Sequence, residues 1–220
     1  MAVLTWDAVE DRTYETGVDH GVLYIPDEDG NYGAGVPWNG LVSVQETPSG
    51  AEANAQYADN IKYLNLFSAE EFGGTIEAFT YPDEFAQFDG LASPYDGVMV
   101  GQQDRGVFGL SYRTILGNAV EGNAYGYKLH LVYGCQVSPS EKAYGTVNDS
   151  PEPITFSWEL TTTPVPVTGL KPTSIIVVDS TVVDADALSD LEDFLYGTVS
   201  NPATLPDPDT VIALFAPAGP

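Results

Sequence analysis

Two stretches of strict alternation constrain this chain more than anything else in it. Between Tyr125 and Tyr133, the side chains of Tyr125, Tyr127, Leu129, Leu131 and Tyr133 fall on one face and those of Gly126, Lys128 and His130 on the other. That period of two belongs to a half-buried strand. The pattern returns with Ile154, Phe156, Trp158 and Leu160 on one face and Thr155, Ser157, Glu159 and Thr161 on the other, until Pro164 stops it. The connection between them carries Pro139, Gly145, Asn148, Asp149, Ser150 and Pro151. It is too long for a tight hairpin and should make contacts of its own.

Further strands follow the same logic. Val107–Ile115 alternates Phe108, Leu110 and Tyr112 against Gly109, Ser111 and Arg113, and Thr75–Tyr81 is closed by Pro82, with Glu77 sharing a face with Thr75 and Phe79. Shorter runs at Val22–Ile25 and Gly40–Val44 add two more. No long helix intervenes, and the 22 glycines and 16 prolines punctuate the chain throughout. The expected fold is mainly β, an antiparallel sandwich or barrel with a short flanking helix near the C-terminus.

Around this frame the reading is local. Residues 1–20 read as an N-terminal arm with a short strand at Val3–Trp6, and 46–60 (ETPSGAEANAQYADN) as a long polar loop. Ile61–Phe67 fits either a strand or a short helix. Ser68–Glu71 reads as a helical turn capped by Ser68, and PDEFAQFDG as a short helical or irregular piece. Residues 171–220 read as strand, helix, strand: Ser174–Val178, then a helix carrying Leu188, Leu191 and Leu195 and stopped by Gly197, then Val211–Phe215. They are expected to complete one domain spanning 1–220.

Charge narrows function. Seven Lys and Arg against 32 Asp and Glu give a formal net charge of −25, which repels phosphate and anionic lipid and argues against binding nucleic acid through its backbone. MAVLTWDAVEDR lacks the basic start and apolar core of a secretory signal, and no run approaches the roughly 18 apolar residues of a membrane span. A soluble product is therefore expected. Cys135 is the only cysteine, so an internal disulfide and a cysteine-based zinc site are excluded.

Catalytic chemistry finds little purchase. His20 and His130 are the two histidines, and His130, on the polar face beside Lys128, reads as a solvated or salt-bridged surface residue. Asp27, Asp29 and Asn31 have the first three spacings of a calcium loop, but Tyr32 stands where that loop needs glycine and Trp38 where it needs glutamate. A surface turn is the favoured reading. No nucleophile elbow, phosphate loop or dinucleotide fingerprint occurs, and no catalytic, cofactor-binding or metal-ligating residue is expected.

Two long runs carry a likeness. SPSEKAYGTVNDSPEPITFSWEL and, at 57–85, YADNIKYLNLFSAEEFGGTIEAFTYPDEF resemble the major tail tube proteins of long-tailed bacteriophages. The likeness runs from about Trp38 to Thr163 and resumes weakly in VVDS (177–180), LEDFLYG (191–197) and LPDPDTVIALF (205–215). It implies a virion structural protein without enzyme activity, made in the bacterial host cytoplasm. Its partners would be copies of itself, in six-membered rings stacked into a tube, and other tail proteins at the tube ends. DNA would pass through the lumen without specific binding, and no membrane would be involved. By the same resemblance the 46–60 loop reaches a neighbouring subunit or ring. Carboxylates such as Glu77 and Glu159, on polar strand faces, are candidates to line the lumen and let phosphates slide past. A tube protein of a contractile injection or secretion system is the alternative within this class. A secreted carbohydrate-binding or hydrolysing β-sandwich, suggested by 13 Tyr, 3 Trp and the carboxylates, is the alternative outside it.

Overall fold

A computed structural model of the 220-residue chain describes residues 6, 8–9, 12–147, 149 and 152–217. The first strands are β1 (Thr13–Pro26), β2 (Tyr32–Trp38), β3 (Leu41–Glu46), β4 (Ser49–Gly50), β5 (Ala53–Ala58), β6 (Ile61–Phe67), β7 (Glu70–Glu71) and β8 (Gly73–Ala78). A 3-10 helix at Asp83–Gln87 follows. Then come β9 (Ala92–Tyr95), β10 (Val98–Val100), β11 (Phe108–Asn118), β12 (Gly122–Val137), β13 (Phe156–Thr162) and β14 (Ile175–Asp179). Helices α1 (Ala185–Tyr196) and α2 (Pro208–Leu214) close the order.

The expected mainly β, antiparallel fold is what the chain adopts. Eight strands make one sheet in the order β2-β1-β11-β12-β13-β8-β3, with β14 also paired to β12. At 16 residues β12 is long enough to hold two partners on one edge: β14 beside Lys128–Val132 and β13 beside Cys135–Val137. The two outermost strands of the path, β2 and β3, are consecutive in the chain and joined by Asn39 and Gly40 alone. A sheet whose edges are two residues apart has to curl on itself. Gly40 makes the link with φ of 78°, and a Cβ there would lie 2.9 Å from Thr80 Cγ2.

Curling gives the sheet an inside and an outside, and both are covered. Inside lie Leu23, Trp38, Ile76, Phe85, Phe108, Leu110, Val132, Trp158 and Leu160, with Phe85 and Phe88 of the 3-10 segment closing one end. Outside, Val22, Tyr24, Leu129, Leu131 and Tyr133 pack against Leu188, Leu191 and Leu195 of α1 and Val211 of α2. Tyr24 Oη donates to the Leu195 carbonyl at 2.8 Å, and Tyr133 Oη donates to the Pro206 carbonyl at 3.0 Å. Two buried phenols thereby hold the C-terminal segment on the sheet.

Several expectations need correcting. Val211–Phe215 is not a strand: Val211–Leu214 lies in α2 and Phe215 is its C-cap, with Asp207 as N-cap accepting from Thr210 N at 3.0 Å and Pro208 opening the first turn. The 171–220 segment is thus strand, helix, helix. Thr13–His20 is no free arm but the first part of β1, paired with β11. Its register slips at Gly17 and again between Asp19 and Val22, and these bulges break the period of two. The expected strand at Val3–Trp6 falls, but for Trp6, outside the described residues. Ser68–Glu71 does not turn as a helix; Glu70 and Glu71 form β7 beside β4. Ile61–Phe67 is a strand, and the 46–60 stretch is strand and turn instead of loop.

One further departure lies within the best-read strand. Phe108 pairs with Cys135 and Leu110 with Val132, so β12 carries one extra residue at Gly134, where φ is 62°. That bulge reverses the alternation. Tyr133 faces the helices, whereas Cys135 and Val137 turn inward to the core. A Cβ on Gly134 would stand 2.2 Å from the Thr163 carbonyl oxygen, so only glycine fits.

Candidate assembly surface

Between β3 and β8 the chain leaves the barrel and returns. β4 and β7 pair at the base, and beyond them β5 and β6 form a two-stranded sheet of their own. The tip is Asp59-Asn60, both at positive φ (50° and 62°), the two-residue turn that suits a twisted hairpin. Among the described residues nothing covers β6. Every residue of β6 is exposed, and Tyr57, Ile61, Tyr63 and Phe67 keep 73%, 63%, 69% and 66% of their surface open. An isolated two-stranded hairpin is marginal in water, and contiguous exposed apolar surface marks an interaction site.

The arm is fastened at its root. Glu46, the last residue of β3, accepts a 2.6 Å hydrogen bond at Oε1 from Tyr112 Oη. His130, stacked on the Tyr112 ring at 4.6 Å and only 7% exposed, brings Nδ1 within 3.1 Å of the same oxygen, close enough for a charge contact though not aligned as a hydrogen bond. On the other side of the ring, Nε2 lies 3.1 Å from Thr114 Oγ1, whose hydroxyl donates to Glu15 Oε1 at 2.5 Å. Thr114 has one proton and gives it to Glu15, so Nε2 is the donor to Thr114 and Nδ1 is the nitrogen that gains or loses a proton. Lys128 Nζ completes the group, 2.6 Å from Glu15 Oε2. His130 does lie beside the carboxylates of Glu46 and Glu15, but it is buried, where the alternation suggested a solvated or salt-bridged surface residue. The strand's polar face is here the inside of a curled sheet.

Burial holds the His130 imidazole below its ordinary pKa of 6.5, against the pull of Glu46 and Glu15. For Glu15, burial alone would raise the carboxyl, but the hydrogen bonds from Lys128 and Thr114 outweigh it and leave it lowered. The signs agree. As pH falls below 6.5 the unfolded chain takes a proton on His130 more readily than the folded one, so stability declines with acid. Glu15 adds to the decline only lower, below its ordinary carboxylate range. His130→Gln is expected to flatten the fall in urea midpoint between pH 7 and pH 5, and an unchanged slope would remove His130 from this role.

Other residues singled out by sequence are placed as follows. Glu77 and Glu159 do share a face: with Ser43, Gln45, Thr75, Ser157 and Thr161 they form the outward side of β3, β8 and β13, and Ser43 Oγ donates to Glu77 at 2.8 Å. Those three strands contain no Lys or Arg. Asp27 Oδ1 accepts from the backbone N–H groups of Asp29 (3.0 Å) and Asn31 (2.8 Å), which builds the turn and holds that carboxyl below its usual range. Among the described residues no three His, Cys, Asp or Glu side chains come together as a metal site. Burial pushes the Cys135 thiol far up, leaving it inert. No described helix is long and apolar enough to cross a membrane. Sequence missed Glu46 and Tyr112, whose partnership spans 66 residues. It also missed the arm, although Asn60 before an apolar run was a legible turn signal. Among known proteins, no family model matches this chain and no curated protein matches it.

Proposed function

We propose that this chain is a tube-forming structural subunit of a virion, of the bacteriophage major tail tube kind, without enzyme activity. In this reading six copies close a ring, rings stack into a tube in the host cytoplasm, and the tube travels in the tail and conducts DNA. The observation that carries it is the β5–β6 arm, a two-stranded sheet whose apolar-rich strand β6 is exposed along its whole length, anchored to a barrel by β4, β7 and Glu46. A monomer has no use for such an arm, whereas a neighbouring copy gives it the cover it lacks. The cation-free outward face of β3, β8 and β13 supports a second element: hydroxyls and carboxylates such as Glu77 and Glu159 give passing phosphates nothing to bind, and no counterions are released.

Charge sets the test. Subunits of net charge −25 repel one another, and the screening length falls from about 30 Å at 0.01 M salt to about 10 Å at 0.1 M. Purified protein is expected to stay monomeric at low salt and to polymerise faster as salt rises, with annular rings or tubes under negative stain. DNA is expected not to co-sediment with those tubes even at low salt. Tubes that dissolve as salt rises, or that hold DNA best at low salt, would replace the acidic channel with a cationic one, and the absence of any ring or tube would overturn the reading itself.

A further inference from the structure

We infer that the groove between the 3-10 helix and the β9–β10 hairpin is the seat for the β5–β6 arm of a second copy, so that copies join head to tail. This rests on the tube reading and adds to it the place where the arm docks.

The first support is position. The arm returns to the barrel at Gly73, where β8 begins, and β8 ends at Ala78, just ahead of the 3-10 helix at Asp83–Gln87 and the β9–β10 hairpin. The two features therefore lie at opposite ends of one strand, about 20 Å apart for six residues at roughly 3.4 Å each. A projection at one end and a receptor at the other make a heterologous contact, which repeats from copy to copy and can close a ring or run on along a stack.

The second support is chemistry. The groove, about 600 Å³, holds Leu91 and Met99 beside four carboxylates, Asp83, Glu84, Asp96 and Asp104. Met99, the lining residue from β10, is about half exposed, and the rest of the hairpin beside the groove is open as well, with Tyr95 77% exposed and Val98 and Val100 about half exposed. The arm is its complement. Across Ala53–Phe67 a single acid, Asp59, is balanced by a single base, Lys62, in a chain otherwise strongly negative. Arg113, Lys128 and Lys142 are already paired with Asp19, Glu15 and Asp89 within the chain, whereas Lys62 is exposed and has no ion pair among the described residues. Lys62 pairs with Tyr57 and Phe67 with Ala53, which puts both on one face of the arm. Seating that face covers Phe67 and the neighbouring Tyr63 with Met99 and Leu91 and brings Lys62 among carboxylates that repel one another in the free subunit.

Cys135 is fully buried, so an introduced thiol reacts alone. Copies carrying Tyr63→Cys are mixed with copies carrying Met99→Cys under assembling salt, treated with a bismaleimide and run on a denaturing gel. A linked dimer is expected from the mixture and from neither variant alone. Dimers of Tyr63→Cys with itself would mean that arms pair with arms and would overturn the inference. Tubes under the microscope without a mixed dimer would place the arm elsewhere, overturning the seat and leaving the tube reading intact; no tubes in the unsubstituted protein would take down both. A second measurement does not depend on the thiols. Lys62→Glu is expected to raise the protein concentration needed for assembly about tenfold, equivalent to about 1.4 kcal/mol, and adding Asp96→Lys with Asp104→Lys is expected to bring it back. Failure of that reversal, with each variant folded by circular dichroism, would count against the seat.

Discussion

Trp158→Ala is expected to lower the stability of the folded chain by about 3–5 kcal/mol, the range for emptying a large buried aromatic site. Trp158 is fully buried at the centre of an aromatic cluster: Phe85 lies at 5.2 Å, Tyr81 at 5.4 Å, Trp38 at 5.7 Å and Phe156 at 5.8 Å between ring centroids. Its neighbours belong to β2, β13, the 3-10 helix and the connection that precedes that helix, so the cavity cannot collapse by moving one element. Its indole Nε1, however, is buried without a hydrogen-bond partner. Trp158→Phe removes that orphan donor while keeping most of the ring contacts, and is expected to cost much less than the alanine. Ser157→Ala, on the opposite face, is expected to stay within about 0.5 kcal/mol. Urea midpoints of the three variants would decide, and equal midpoints would mean that the facing assigned to Trp158 and Ser157 is wrong.

Excising the arm is expected to abolish assembly while leaving the barrel folded. Gly50 and Ala69 already touch across the base, where a Cβ on Gly50 would lie 2.2 Å from the Ala69 carbonyl oxygen, so residues 52–68 can be replaced by a two-residue Asn-Gly turn without stretching the chain. What is lost is surface already open to solvent, and the melting transition should move little. Rings and tubes should disappear under the microscope and by light scattering. Tubes of ordinary length from the shortened protein would take the arm out of assembly altogether.

The sequence was most legible where the sheet is regular. Phe108, Leu110 and Tyr112 alternate as expected because β11 lies mid-sheet, and Leu188, Leu191 and Leu195 mark α1 because a helix on a sheet buries one stripe. Legibility failed at irregularities that a period of two cannot express. The bulge at Gly134 and the slips in β1 each reverse which parity faces the core. Val211–Phe215 misled because a short β-branched run fits either a strand or a buried helical stripe, although the Asp207-Pro208 start favoured the helix. The anchor at Glu46 was hidden for a different reason: Tyr112 and His130 come from strands that meet β3 only when the sheet has curled, and no local pattern records that closure.

The topology also sets an order of events in time. Tyr24 finds Ser111 across 87 residues and Leu195 across 171, and β1 finds its place only after β11 has been made. Folds dominated by such distant pairings form in milliseconds to seconds, whereas a local hairpin closes in about 1–10 μs. The β5–β6 hairpin, pairing neighbours across Asp59-Asn60, can therefore form on a growing chain long before the barrel that will hold its root. During that interval it is an apolar ribbon on an unfinished polypeptide, and the like charge of neighbouring nascent chains is what keeps such ribbons apart until the core is complete.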